Sequence, residues 1–147
     1  MNEPDFDSWF AEHINLAKTA FVSPDIPLLS NLTAIDNIAL VARFHSDIPD
    51  KMIFSNIKAL MELLDINSSI NSKPSSFDEM TRFKVKLLRA IMMTGADIVI
   101  DRPFYMLRNM PTVKSIRKIL TLLDTHFEQC IIADYEWHRD RYGDLIE

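Results

Sequence analysis

Apolar residues recur at three- and four-residue intervals in several stretches of the chain, and in three others they run together with no alternation. The first pattern is that of a helix with one buried face, the second that of a short strand covered on both sides. Ser76 and Glu79 have the S-x-x-E spacing of a capping box, so a helix is expected to begin near Phe77 and to bury Met80, Phe83, Leu87, Leu88, Ile91 and Met92. Gly95 supplies a left-handed stop. Ala96 to Ile100 then reads as a buried strand of the parallel-sheet kind, with Asp101 at its carboxyl end, where open α/β sheets place their ligands.

The same pattern organises the rest of the chain. Asp5 to His13 reads as a short amphipathic helix with Phe6, Trp9 and Phe10 on one side. Leu16 to Val22 reads as a strand, ended by Pro24 and Pro27, which cannot continue a ladder. Thr33, with Asp36 three residues on, opens a helix carrying Ile35, Ile38, Ala39 and Ala42. Asp50 to Leu64 and Val113 to Leu123 are further helices, Asn67 to Ser76 is a polar surface loop, and Glu128 to Ala133 is a third strand. The tail from Tyr135 is charged and aromatic and reads as a helix or a partly ordered segment.

Composition narrows the function. The 147 residues, 48% of them hydrophobic, suit one domain with a real core. Sixteen basic against twenty-one acidic residues give a net charge of −5, which argues against nonspecific nucleic-acid binding. The lone Cys130 excludes a disulfide framework or a cysteine zinc cluster and suits a reducing compartment. The acidic, proline-broken start is not that of a secretory signal, and no apolar run approaches the roughly 20 residues of a membrane span, so a cytoplasmic protein is expected. Only Gly95 and Gly143 are present; the chain therefore contains neither a Walker A loop nor a dinucleotide fingerprint, both of which need clustered glycines for close approach to phosphate.

The stretch from Phe77 through Asp101 resembles the signature helix and Walker B strand of the nucleotide-binding subunit of ABC transporters. In that family the helix opens with LSGG and continues as a QRVALARAL-like sequence. Here Phe77, Asp78, Glu79 and Met80 stand at the LSGG positions, and the arginine-alanine pair is kept as Arg89 and Ala90. The family strand ends in aspartate, glutamate, proline; this one ends in Asp101, Arg102, Pro103. A second stretch, FVSPDIPLLSNLTAIDNIAL from Phe21 to Leu40, is similar to the Q-loop and early helical subdomain, with Pro24 at the glutamine position. Ala133 and Asp134 match the threonine-histidine switch pair, and Arg108 falls at the D-loop aspartate. Together the matches cover about residues 16 to 134.

The resemblance implies an α/β fold: a small three-stranded parallel sheet in sequential order, with the Asp101 strand central, flanking helices, and an inserted helical subdomain over approximately residues 30–94 within a single truncated domain. It leaves no room before residue 16 for the P-loop strand. Hydrolysis requires phosphates to be cradled, Mg²⁺ held and the attacking water positioned, and of that machinery only Asp101 remains. The leading expectation is a non-catalytic relative with no cofactor, no metal and no ATP binding below millimolar. It would act through a protein partner: itself, a permease or an intact ATPase subunit, reaching the inner membrane only through that partner. One alternative is an ATPase subunit whose P-loop comes from another chain, against which a cation at Arg102 weighs; another is a decayed product with no present role. Loss of the family's outer strands would leave the Cys130–Ile132 strand at an edge, which favours a homodimer or a tight hetero-complex.

Other residues carry less. His13, His45, His126 and His138 are scattered without zinc-ligand spacing. Asp134, Glu136, His138 and Asp140 read as a solvated acidic face, and Cys130 as an inert buried thiol. Asp101 suits a salt bridge with Arg102 or Arg82. The cations Arg82, Lys84, Lys86 and Arg89 read first as a solvated helix face, and second as a contact for an acidic partner.

Overall fold

Three parallel strands lie in the order β1 (Thr19–Val22), β2 (Asp97–Asp101), β3 (Cys130–Ala133), with the Asp101 strand in the centre. The computed structural model describes residues 19–45, 47–110 and 112–143. The expected helix over Asp5 to His13 and the first part of the Leu16 strand lie outside the described residues. The fold is the α/β, parallel, sequential sheet that the pattern and the resemblance imply. β2 is central because Ile98, Val99 and Ile100 bury side chains on both faces, so no surface of the strand is left for water.

The chain divides into two compact units, residues 25–94 forming one and the flanking stretches the other. In the sheet unit, Arg102 follows β2 in the left-handed conformation (φ 48°), and Pro103 starts a one-turn helix, α4 (Pro103–Met106). Helix α5 (Lys114–Leu122) buries Ile116 and Ile119, and the short 3-10 segment Glu136–Arg141 closes the described chain. That segment is tied down by its backbone: Val113 N–H donates to the Arg141 carbonyl, and the Arg141 guanidinium donates to the carbonyls of Arg108 and Met110. The tail expected as a helix or a partly ordered segment is thus a 3-10 turn that clamps the 104–113 segment through nonlocal bonds.

The second unit is helical. α1 (Ala34–His45) packs on both α2 (Asp50–Leu63) and α3 (Glu79–Ile91). Thr33 does open α1: its hydroxyl accepts from Asp36 N–H at 3.3 Å and donates to the Asp36 carboxylate at 3.0 Å. The loop expected only as polar surface also contributes, because the Ser72 and Ile70 carbonyls accept from the N–H groups of Ala34 and Ile35. Asn37, fully buried, holds the chain before α1: its amide accepts from Leu29 N–H and donates to the carbonyls of Leu29, Leu32 and Thr33.

Two expectations about α3 are corrected. Its cap is Asp78, whose carboxylate accepts from Thr81 N–H at 2.7 Å, and the helix begins at Glu79. Pro74–Ser76 forms a 3-10 turn that leaves Phe77 extended, so the Ser76 hydroxyl bonds back to the Lys73 carbonyl instead of forward. The cationic face is likewise no free surface. Arg82 donates to the Pro74 and Phe77 carbonyls, Lys84 to the Leu64 carbonyl, and Arg89 to the Pro27 and Ile26 carbonyls, while Lys86 is 5% exposed. Long cationic side chains here satisfy loop and helix-end carbonyls, a use that depends on which loop lies nearby.

Candidate functional site at the carboxyl end of the sheet

Parallel strands bring their carboxyl ends to one edge, and here that edge carries Ser23, Asp101 and Asp134. Asp101 is 6% exposed, and its Oδ2 accepts from Ser23 Oγ at 2.6 Å, across the pairing of β1 with β2. The Arg102 guanidinium grips both oxygens, Nε to Oδ1 at 2.8 Å and Nη2 to Oδ2 at 2.9 Å. Adjacent side chains in a strand point to opposite faces, so such a fork between consecutive residues needs a break in the alternation. The left-handed Arg102 supplies it, and its N–H still donates to the Ala133 carbonyl.

Arg102 is fixed from outside as well. Nη1 donates to the Tyr135 hydroxyl at 3.3 Å, and the guanidinium carbon lies 5.9 Å from the ring centres of both Tyr105 and Tyr135. Of the two partners expected for Asp101, Arg102 is the one found, while Arg82 donates to the Pro74 and Phe77 carbonyls.

Asp134, expected on a solvated face, is instead a buried hub, its side chain 4% exposed. It accepts from Tyr135 N–H at 2.7 Å, pairs with His138 Nδ1 at 2.7 Å and accepts from the Tyr142 hydroxyl at 2.6 Å. Burial, reinforced by that hydrogen bond and the carboxylate's charge, pushes the Tyr142 phenol well above its ordinary pKa. Residues i, i+4 and i+8 of a tail converge on one carboxylate because the backbone turns there into a 3-10 segment.

The other residues marked by sequence are elsewhere. Pro24 is half-buried in the turn after Ser23. Phe77, Asp78, Glu79 and Met80 belong to the helical unit, where Phe77 is buried and Asp78 is occupied as the cap of α3. Arg108 is exposed, and its carbonyl accepts from Arg141. Cys130 is half-buried, and burial pushes its thiol up to about 12, which makes it unreactive. Among the described residues no group of three His, Cys, Asp or Glu side chains is arranged to hold a metal ion. Sequence reading missed Ser23 and Tyr135; position alone, one residue beyond a strand end or two, was the available signal.

No family model matches the chain. It is 27% identical over 121 residues to the macrolide export ATP-binding/permease protein MacB of Aggregatibacter actinomycetemcomitans, a match covering 82% of this chain and 18% of that protein. The fold is similar to that of the solved ATP-binding cassette MJ0796, in a dimeric post-hydrolysis state bound to ADP and Pi (TM-score 0.64, 20% identity, 82% of this chain and 53% of that one). A second dimeric structure of that bacterial ABC transporter cassette gives a TM-score of 0.66 at 20% identity, over 86% of this chain and 56% of that one. The chain is a relative of the ABC transporter ATP-binding cassettes. It spans about half the length of the solved cassettes it matches and under a fifth of the curated relative. Within this cassette-like chain the strand-end acid is Asp101, and the guanidinium of the following residue lies directly on it.

Proposed function

We propose that this cassette-like chain does not hydrolyse ATP and acts by binding another protein, a transporter component being the kind of partner its relatives suggest. The observation that carries the reading is the closed state of Asp101. Both of its oxygens are occupied by Arg102, and one also by Ser23, in a buried setting. A divalent cation at that carboxylate would have to displace a guanidinium and leave it close by, and breaking a buried ion pair costs about 3–5 kcal/mol. Phosphoryl transfer also needs a cradle of backbone N–H groups, and this chain's two glycines, Gly95 and Gly143, are far apart in sequence.

The cation at Arg102 also replaces any carboxylate that could orient an attacking water. No described helix is long and apolar enough to cross a membrane. Titration calorimetry with MgATP on the purified chain should give no affinity tighter than millimolar, and phosphate release should stay at background; micromolar binding would overturn the reading. Should a complex purified from native cells release phosphate, and lose that activity on Asp101→Asn, a composite nucleotide site would take its place.

A further inference from the structure

Between Asp101 and Asp124 the chain has no acidic residue and five cations, Arg102, Arg108, Lys114, Arg117 and Lys118, within a protein of net charge −5. Three of them are on α5. Lys114, Arg117 and Lys118 stand at i, i+3 and i+4, a spacing that stacks side chains on one helix face. The opposite face is anchored by Ile116 and Ile119, with Val113 and Leu123 buried at either end, so the orientation of the cations is set by packing. All three are exposed, and among the described residues none has a carboxylate within ion-pair distance. This contrasts with α3, where Arg82, Lys84 and Arg89 are spent on carbonyls.

The geometry points to the Lys114–Arg117–Lys118 face of α5 as a docking surface for an acidic protein segment, one that presents Asp or Glu side chains at helical spacing. It deepens the reading of the chain as a protein-binding module and rests on it. Charge complementarity selects the partner by elimination. Anionic lipid surfaces are held by clusters of about 4–8 basic residues, often with an apolar face to insert, and α5 offers three cations and only Leu122 exposed beside them. A nucleic acid would meet a chain whose net charge is −5. An acidic peptide needs only a few well-placed cations, and it would be steered in by a local field opposite in sign to the rest of the molecule.

The test uses the full chain and a labelled oligoglutamate peptide, followed by fluorescence anisotropy at low and at physiological salt. The peptide should bind at low salt and weaken as salt rises. The variant K114Q/R117Q/K118Q, altered only at exposed positions, should lose about tenfold, since each exposed pair contributes a factor of about two to three. A control, K51Q/K58Q, removes two exposed cations of α2 and should bind as wild type does. The proposal fails if wild type does not bind the peptide, if the triple variant binds as well, or if the control loses as much. It fails equally if phosphatidylserine vesicles or duplex DNA bind more tightly than the peptide. A natural partner captured equally by wild type and triple variant would overturn the α5 surface alone and leave the protein-binding reading standing.

Discussion

Arg102 shows how much one residue can carry. Its left-handed backbone costs on the order of 1 kcal/mol, and in return a guanidinium reaches the carboxylate of its own neighbour. Arg102→Ala should destabilise the fold by about 3 kcal/mol, because it leaves the buried Asp101 carboxylate with the Ser23 hydroxyl as a donor and without its neutralising cation. The double variant Asp101→Asn with Arg102→Met should cost less than the sum of the two single changes, a coupling that denaturant titration of all four proteins measures directly. Lys86 makes the opposite case. Burial, then repulsion from Arg89 and Arg82, lowers its pKa to about 8 against an ordinary 10.5, with Asp25 offsetting part of the effect. Between those two values the unfolded chain binds more protons than the folded one, so this lysine makes stability rise with pH across that window. Cys130, its thiol pushed up to about 12 from 9.0, works in the other sense above pH 9, so the two must be separated by mutation. Lys86→Met should remove the lysine's part of the slope while leaving that of the thiol, as denaturant titration across pH 8 to 10.5 would show.

Elements in this chain begin and end where side chains make it possible. The Asp78 carboxylate is held below its ordinary pKa by its hydrogen bonds to Thr81, so the cap is in place at neutral pH and is lost as pH falls through that lowered value. Asp78→Ala should cost about 1 kcal/mol, read as a drop in the denaturation midpoint. Asn37 supports α1 with four hydrogen bonds to the chain that precedes or opens it, and Asn37→Ala should cost about 2–3 kcal/mol, since it strands buried backbone groups as well as removing bonds. The end of α2 holds spare stability: Asp65 has φ 59° just past the helix, and Asp65→Gly should gain up to about 1 kcal/mol by relieving that strain. The helices and strands themselves were legible from spacing, because burial of one face imposes its period on the sequence. Their boundaries were less so, as at Ser76, because a cap is chosen by the local turn, and Pro74 sets that turn.

For the whole molecule the central position of β2 has a measurable consequence. Ile98 N–H donates to the Gln129 carbonyl inside the ladder, whereas the register of β2 with β3 turns the N–H groups of Cys130 and Ile132 outward, where no bond is made among the described residues. Hydrogen exchange should therefore be slow at Ile98 and Ile100 and much faster at Cys130 and Ile132, and protection of those two in a purified complex would report a strand added at this edge. The amino-acid sequence by itself determined the α/β class, the buried central strand and the acid at its end, because unbroken apolar runs and 3.6-residue periods are local consequences of burial. It also determined that this chain holds no glycine-rich phosphate loop, since that needs residues it does not contain. Only the tertiary structure decided that Ser23 and Tyr135 meet the Asp101–Arg102 pair, that Asp134 gathers His138 and Tyr142, and that Arg82, Lys84 and Arg89 of α3 are spent on carbonyls while the cations of α5 stand free of carboxylates. Those are contacts between side chains and groups distant in sequence or turned together by an unusual backbone angle, and the physics that selects them acts only once the strands are side by side.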